Sequence, residues 1–504
     1  MDTASRRWAV LAAFGISAVY LLRLDHVAGL IKDDAWYIVL AKALASGQGF
    51  ALISSATTPL LPTVPPGFPA LLAPIFWLNP SFPDNVLWLK LVSVVAIGVA
   101  SVATYVDFRA HRRLDAGTAM VLASIALLTP AVVFLATSTV MSDCVFLAAQ
   151  LLAVVAIERA ARDGSLSTPA LAGMLAAVAY LIRITGVAVI VSAVVYFAAR
   201  RQFRSALVFV AVVAVAILPW ELYAAWHAPT PQQRLEHGGS IAYPYRQLVT
   251  TGADRSVGIS TDVQWARAVD NVEGILVRDV GAALVPVLYR GAGESGQEVV
   301  SVGAPGRGSM GGARGTQVVS LLLSALIVVG IHRQRAWLSL PVLVMGVTVA
   351  MVATVNAQTF RYLVPVVPFL LVYLWHGLRD VRVCRIATAT LLALHLLDHA
   401  GYLHARWTGS AQWLAEAADV DQVLEYLASG EDGAVASTNP GLVYLRTGRK
   451  GIYLVNPDAN WETWRSWNVR YIAAFQPFQR PILPEGQSED IRTARFGYWA
   501  VKLR

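Results

Sequence analysis

From its first residues to about position 400, the chain is a succession of apolar runs joined by short connections, and every second connection carries arginine. This pattern constrains the fold more than any other feature. A membrane-spanning helix needs about 20 predominantly apolar residues. Runs of roughly that kind lie at 8–24, 86–106, 116–136, 143–159, 168–182, 185–199, 205–226, 317–331, 338–355, 363–378 and 386–401. The alternate connections hold Arg6 and Arg7; Arg109, Arg112 and Arg113; Arg159 and Arg162; Arg200, Arg201 and Arg204; Arg333 and Arg335; and Arg379, Arg382 and Arg385. Short arginine-rich loops stay on the cytoplasmic side, so the six sets agree on one orientation. The expected fold is an all-α polytopic membrane protein of about 11 transmembrane helices with a cytoplasmic N-terminus. The first run, Trp8 to Leu22, reads as an uncleaved helix, because no small-x-small cleavage site precedes Asp33.

Composition agrees. The chain is 56% hydrophobic and only 14% charged, whereas a soluble domain is nearer a quarter charged. The net charge of +8 is concentrated in the short loops, so it is a topology signal and not a nucleic-acid-binding face. Cys144 and Cys384 fall at opposite membrane faces of this scheme, which argues against a disulfide, and metal-site spacing is absent.

Three segments are long: 25–85, 227–316 and 402–504. The topology puts all three outside the cytoplasm. Apparatus concentrated on one face suits an enzyme working at the outer membrane surface. In the first loop, KDDAWYIVLAKALASGQGF (32–50) predicts a helix from Asp33 to Ala45, stopped near Gly47 and lying on the membrane surface. Asp33 and Asp34 sit at its start. An N-cap needs one aspartate, and here there are two. Pro65 and Pro66 then impose an extended entry to a second apolar segment, 67–78, read as another surface helix.

These features together resemble the GT-C membrane glycosyltransferases, in particular the superfamily of protein O-mannosyltransferases and lipid A aminoarabinose transferases. The resemblance rests on Asp33, Asp34, Tyr37, Gly47, Gly49, Pro65, Pro66 and Pro69 in the first loop. It continues in the Ser142-Asp143 opening of the run at 141–155 and in the Arg361-Tyr362-x-x-Pro365 opening of a late span. It covers roughly residues 8–400. Aminoarabinose transferases carry a lysine just before the proline pair, where this chain has Thr63 and Val64.

The resemblance implies transfer of a sugar from a polyprenyl-phosphate donor to a lipid, glycan or protein acceptor outside the cytoplasm. That chemistry asks for little. An acceptor hydroxyl needs a carboxylate base as it attacks the anomeric carbon. The departing lipid phosphate needs cations, or a metal, to meet its developing charge. One displacement with inversion needs no second acid, because phosphate leaves unprotonated. Asp33 is the expected base, and Asp34 the residue that orients the acceptor or supports the site. Asp143 is a further acidic candidate, facing the acceptor or sharing a divalent metal with Asp33; the sequence leaves metal dependence open. Arg361, Arg183 and Lys32 are the candidates for the lipid phosphate, and Tyr37 and Tyr362 for substrate contacts.

Elsewhere, Gly306, Gly308 and Gly311 match G-x-G-x-x-G, but no βαβ unit surrounds them, so they read as linker. Residues 262–280 form a third amphipathic stretch. In 402–504 an amphipathic helix ends at Gly430, and the runs AVAST, GIYLV, VRYIAAF and YWAVKL predict strands of a small α/β domain. Trp461, Trp464 and Trp467 read as packing residues. The expected division is a glycosyltransferase domain at 1–401 and an outer α/β domain at 402–504. The rival class is a transporter or flippase of a lipid-linked substrate, which would place ionisable residues mid-span.

Overall fold

The computed structural model describes residues 14–57, 59, 61, 64–230, 233, 259–291, 314–355, 359–378, 380–454, 461–475, 488–492 and 497–503. Helices dominate. The first is α1 (Phe14–Arg23). The first loop then forms α2 (Lys32–Ala45) and α3 (Gly67–Leu78). The bundle follows as α4 (Val86–Ala110), α5 (Ala116–Leu127), α6 (Pro130–Thr137), α7 (Asp143–Ala160), α8 (Ser167–Ile182), α9 (Val187–Ala199) and α10 (Phe203–Trp226). After α11 (Thr261–Gly274) the chain makes one π-helical turn, Ile275–Asp279, then α12 (Val280–Leu284) and α13 (Pro286–Gly291). The bundle closes with α14 (Arg314–Arg333), α15 (Leu340–Thr354), α16 (Phe360–Leu363), α17 (Val367–Gly377) and α18 (Val381–Trp407).

Among the described residues, three helices are long and apolar enough to cross a membrane: α4, α10 and the run 360–377. The pair α5 and α6 makes a fourth only as a broken span, bent by 57°. The sequence predicts one run there; Pro130 starts a new helix after an extended Thr129, and the bend follows. Elsewhere a helix occupies each expected span, several of them shorter than a bilayer.

The C-terminal segment holds α19 (Gln412–Ser429) and a five-stranded sheet in the order β2-β1-β3-β5-β4. Its strands are β1 (Ala434–Ser437), β2 (Gly451–Tyr453), β3 (Val469–Ala474), β4 (Ser488–Arg492) and β5 (Trp499–Leu503). β1 is parallel to β2 and β3, while β5 is antiparallel to β3 and β4. Helix α20 (Pro440–Thr447) links β1 to β2, and α21 (Trp461–Ser466) precedes β3. Alternation gives the sheet two faces. Val435, Tyr453, Tyr471, Ala473 and Ala500 join the main core, while Ala436, Ile452, Ile472 and Val501 pack with Trp464 and Trp499. Four strands coincide with the expected runs; β4 is an addition. Cys144 and Cys384 are both free and buried.

Helix α2 departs from expectation. Asp34 through Ala41 and Ala43 are buried, so it is no surface helix. Its apolar residues face protein, with Tyr37 edge-on to Phe68 of α3 and Ala35 against Gly441 of α20. The loop start is tied to the bundle by Lys90 of α4. The buried ammonium donates to the Asp25 carboxylate at 2.6 Å, to the Asp25 carbonyl at 2.8 Å and to the Thr137 carbonyl at 2.8 Å.

Charged groups gather at both ends of α7, which is about 27 Å long at 1.5 Å per residue. At its C-terminal end, Arg112 bridges Glu158 (2.7 Å) and Asp107 (3.2 Å), His111 contacts Asp107 (3.0 Å), and the Tyr196 hydroxyl donates to Glu158 (3.1 Å). This cluster ties α4, α7 and α9. The other end holds the site described next.

Candidate active site

Four charged residues far apart in sequence meet at the start of α7. Asp143, its first residue, is fully buried. Arg361, on the short helix α16, reaches it with Nη2 at 2.8 Å and Nε at 3.1 Å and extends Nη1 to Asp33 at 2.9 Å. Arg183, the extended residue that ends α8, approaches Asp143 at 3.0 Å and donates to Ser142 Oγ at 3.3 Å. The Tyr37 hydroxyl shares a hydrogen bond with the same Ser142 (3.0 Å). The Arg183 guanidinium also lies 5.2 Å from the centre of the Tyr362 ring. Two carboxylates and two guanidinium groups therefore share one small volume with no net formal charge.

Local sequence explains each position. The chain turns sharply after α8. A Cβ on Gly186 would stand 2.5 Å from the Tyr180 amide nitrogen, so only glycine lets the chain return at that point. Gly67, after the proline pair, abuts the end of α8 in the same way, with 2.7 Å from a Cβ position to the Leu181 carbonyl. Pro365 interrupts the helix after Arg361 and Tyr362, and its carbonyl accepts from Gln150 of α7 at 2.7 Å. The opening of the late span is thus tied to α7 within one turn of the guanidinium.

Exposure separates the acids. Asp143 has no exposed side-chain surface, whereas Asp33 keeps 25%. Asp33 gives one oxygen to Arg361, and its other oxygen makes no hydrogen bond among the described residues. Asp34 points elsewhere. Its oxygens accept from the Gly29 amide (2.8 Å) and the Val140 amide (3.0 Å). The helix N-cap is Ile31, with no side-chain cap, so neither aspartate takes the simple capping role. Asp34 supports the site from beneath by joining the turn before α2 to the segment before α7. Burial pushes its carboxyl up to about 7, against the opposing pull of the two amides and Lys90. Lys32 is outside the cluster, with its ammonium 3.7 Å from the Tyr453 ring centre and 5.5 Å from that of Trp36.

Two residues that sequence reasoning passed over stand behind Arg361. Asp279, buried in the π-helical turn, accepts from the hydroxyl of Thr359, the residue at the start of α16. Arg278 contacts both Asp279 and Thr359 (3.3 Å). The available signal was an Arg-Asp pair interrupting an otherwise amphipathic stretch. Among the described residues no group of three or more histidine, cysteine, aspartate or glutamate side chains comes together. Asp33 and Asp143 are the two carboxylates at the site that could take part in holding a divalent cation, and both are engaged by arginine. The glycine-rich stretch at 306–311 lies outside the described residues.

Residues 62–226, from the proline pair through α10, match the family model of dolichyl-phosphate-mannose-protein mannosyltransferases. Over those residues the chain is similar to that family. The fold of the chain is similar to that of the archaeal oligosaccharyltransferase AglB from Archaeoglobus fulgidus, solved with an inhibitory peptide and a dolichol-phosphate. The TM-score is 0.56 at 12% identity, over 94% of this chain and 70% of that one. ArnT from Cupriavidus metallidurans bound to undecaprenyl phosphate matches over 98% of both chains at 14% identity, with a TM-score of 0.46. The mycobacterial arabinofuranosyltransferase AftD matches over 99% of this chain and 40% of that one at 11% identity, with a TM-score of 0.44. No curated protein matches by sequence.

Proposed function

We propose that the enzyme transfers a sugar from a polyprenyl phosphate to an acceptor hydroxyl at the extracytoplasmic face of the cell membrane, with inversion, and that Asp33 is the general base. One observation carries this reading: Asp33, the partly exposed acid of the cluster, stands 2.9 Å from an arginine that a buried aspartate holds in place. Asp33 takes the acceptor proton as the acceptor oxygen bonds to the anomeric carbon. The bond from that carbon to the phosphate oxygen breaks, and its electron pair leaves with the lipid phosphate. Arg361 and Arg183 supply positive charge beside the leaving group, held so that little reorganisation is needed. Tyr37, through Ser142, and Tyr362, beneath Arg183, line the same volume. Lys32 precedes the base in sequence but stands outside the cluster, over Tyr453.

The orientation rests on the arginine-rich loops. Arg109, Arg112, Arg162 and Arg200 belong to the ends of α4, α7 and α9, opposite the cluster. The division at 401/402 and about eleven spans belong to the same proposal. A transporter or flippase is less well supported, because the charged residues meet at helix ends and not mid-span.

The test is an assay of membranes with a panel of polyprenyl-phosphate sugars, reading both transfer and the anomeric configuration of the product. Transfer with inversion from at least one donor is expected. Retention of configuration, or transport of the lipid-linked sugar with no transfer, would contradict the proposal.

A further inference from the structure

Of the four charged residues in the cluster, Asp143, Arg183 and Arg361 come from bundle helices. Asp33 alone comes from the first loop, so its distance to Arg361 depends on how that loop is seated. We propose that the C-terminal α/β unit seats it, with Asn439 as the positioning residue; this rests on Asp33 being the base.

Asn439 follows β1 and is 4% exposed. Its side-chain carbonyl accepts from the Leu442 amide (3.2 Å) and so caps α20. Its Nδ2 donates out of the unit, to the Gly29 carbonyl at 2.8 Å and the Leu30 carbonyl at 3.3 Å. The Gly29 amide donates in turn to Asp34 Oδ2 at 2.8 Å. The turn that leads into Asp33 is therefore gripped from the C-terminal unit on one side and from α2 on the other. Contact there is close. Gly29 has φ +82°, and a Cβ on it would stand 3.0 Å from Leu442 Cδ1; a Cβ on Gly441 would stand 3.1 Å from that of Ala35.

A second attachment holds the chain beyond α2. The Gly451 amide donates to the Ser54 carbonyl (2.8 Å) and the Ala56 amide to the Gly451 carbonyl (2.9 Å), so Ser55 pairs parallel to the edge of β2. Lys32, the neighbour of Asp33, lies over Tyr453 at the end of the same strand. The C-terminal unit thus fixes both flanks of the helix that carries Asp33.

The carboxamide of Asn439 caps through its oxygen and donates through its nitrogen. This separates the two jobs of Asn439. N439D keeps the cap but turns a carboxylate toward two carbonyls. N439S keeps a capping oxygen and, without adding charge, removes the amide nitrogen that reaches Gly29 and Leu30. A misplacement of about 1 Å at a reacting group costs on the order of a hundredfold in rate.

The experiment compares wild type, N439D, N439S and D33N as full-length protein in membranes, with the polyprenyl-phosphate sugar that the wild type uses. It reads kcat, KM for the donor, thermal unfolding, and amide exchange of the segment 29–34. The expected result for N439D is a fall in kcat of about 10- to 100-fold per folded enzyme, with KM within about twofold, a lowered unfolding temperature because the buried carboxylate faces two carbonyls, and faster exchange in 29–34. N439S should show the same pattern with a smaller fall. If N439D does not accumulate in the membrane, N439S decides on the same criteria. Wild-type kcat in the Asn439 variants, with D33N inactive, overturns this inference and leaves the base intact. A raised KM at unchanged kcat also overturns it, since that marks a substrate contact and not positioning. Full turnover by D33N overturns the base, and this inference with it.

Discussion

The two ends of α7 are built alike. At each, a guanidinium bridges two carboxylates: Arg361 between Asp143 and Asp33, and Arg112 between Glu158 and Asp107. A tyrosine hydroxyl completes each, through Ser142 at one end and on Glu158 at the other. They differ in exposure and in origin. Asp107 and Glu158 are 0% and 5% exposed, whereas Asp33 keeps 25%. The Arg112 cluster draws on the ends of α4, α7 and α9. The Arg361 cluster takes its exposed acid from a loop whose seat depends on the distant C-terminal unit. A buried, bridged arginine is therefore a structural tie at either end. One acid open to solvent and carried on a separately seated element is what makes one of them a candidate for chemistry.

That contrast predicts different losses at the two ends. The largest is expected for R361A. Removing the shared cation leaves the buried Asp143 with Arg183 alone to balance it among the described residues, which costs at most about 3–5 kcal/mol, and transfer should vanish. Thermal unfolding and the transfer assay on the same membranes check both. D143N should come next, with a comparable loss of stability and of transfer, because Arg361 and Arg183 lose the anion that holds them. At the opposite end, E158Q should also destabilise, by about 1–3 kcal/mol for a buried charge-assisted bond, yet leave kcat within about twofold for the protein that remains folded. Loss of kcat in E158Q would erase the distinction between the two clusters.

A smaller effect follows from Asp34, beneath the site. Its carboxyl titrates near 7 in the fold, against an ordinary value of 3.8. The folded state therefore holds a proton that the unfolded chain has released. Asp34 contributes stability that is complete below about pH 4 and is lost as pH rises to about 7. In D34N this part of the pH dependence should disappear, and unfolding temperatures measured from pH 5 to 8 in detergent should show a shallower slope than wild type. An unchanged slope would remove Asp34 as its source.

Much of the site was legible because charge in an apolar chain is costly and so conspicuous. Asp33, Asp143, Arg183 and Arg361 each stand at the end of an apolar run, and the structure brings the four together. What was hidden depends on partners remote in sequence. The apolar residues of α2 read as a membrane-facing stripe, because the cover supplied by α3 and by residues 439–442 lies elsewhere in the chain. Asn439 carries no signal of its role in the sequence, since only the folded chain shows Gly29 and Leu30 beside it. Asp279 was read as part of an amphipathic stretch, and its partner Thr359 lies 80 residues away. The break between α5 and α6 had a local signal in Thr129-Pro130, outweighed by the continuous hydropathy around it. Trp464 and Trp499 pack with the sheet, as strand alternation and aromatic content there anticipate.

The central claim is that Asp33 removes the acceptor proton while Arg361 holds it in place. Transfer by D33N, measured beside wild type with the same polyprenyl-phosphate sugar, tests it most directly. Because Asp33 is partly exposed and Asp143 still pairs with Arg361, the variant should fold and unfold at nearly the wild-type temperature. Its rate should fall by about two orders of magnitude or more. Near-normal turnover by a folded D33N enzyme would contradict the account.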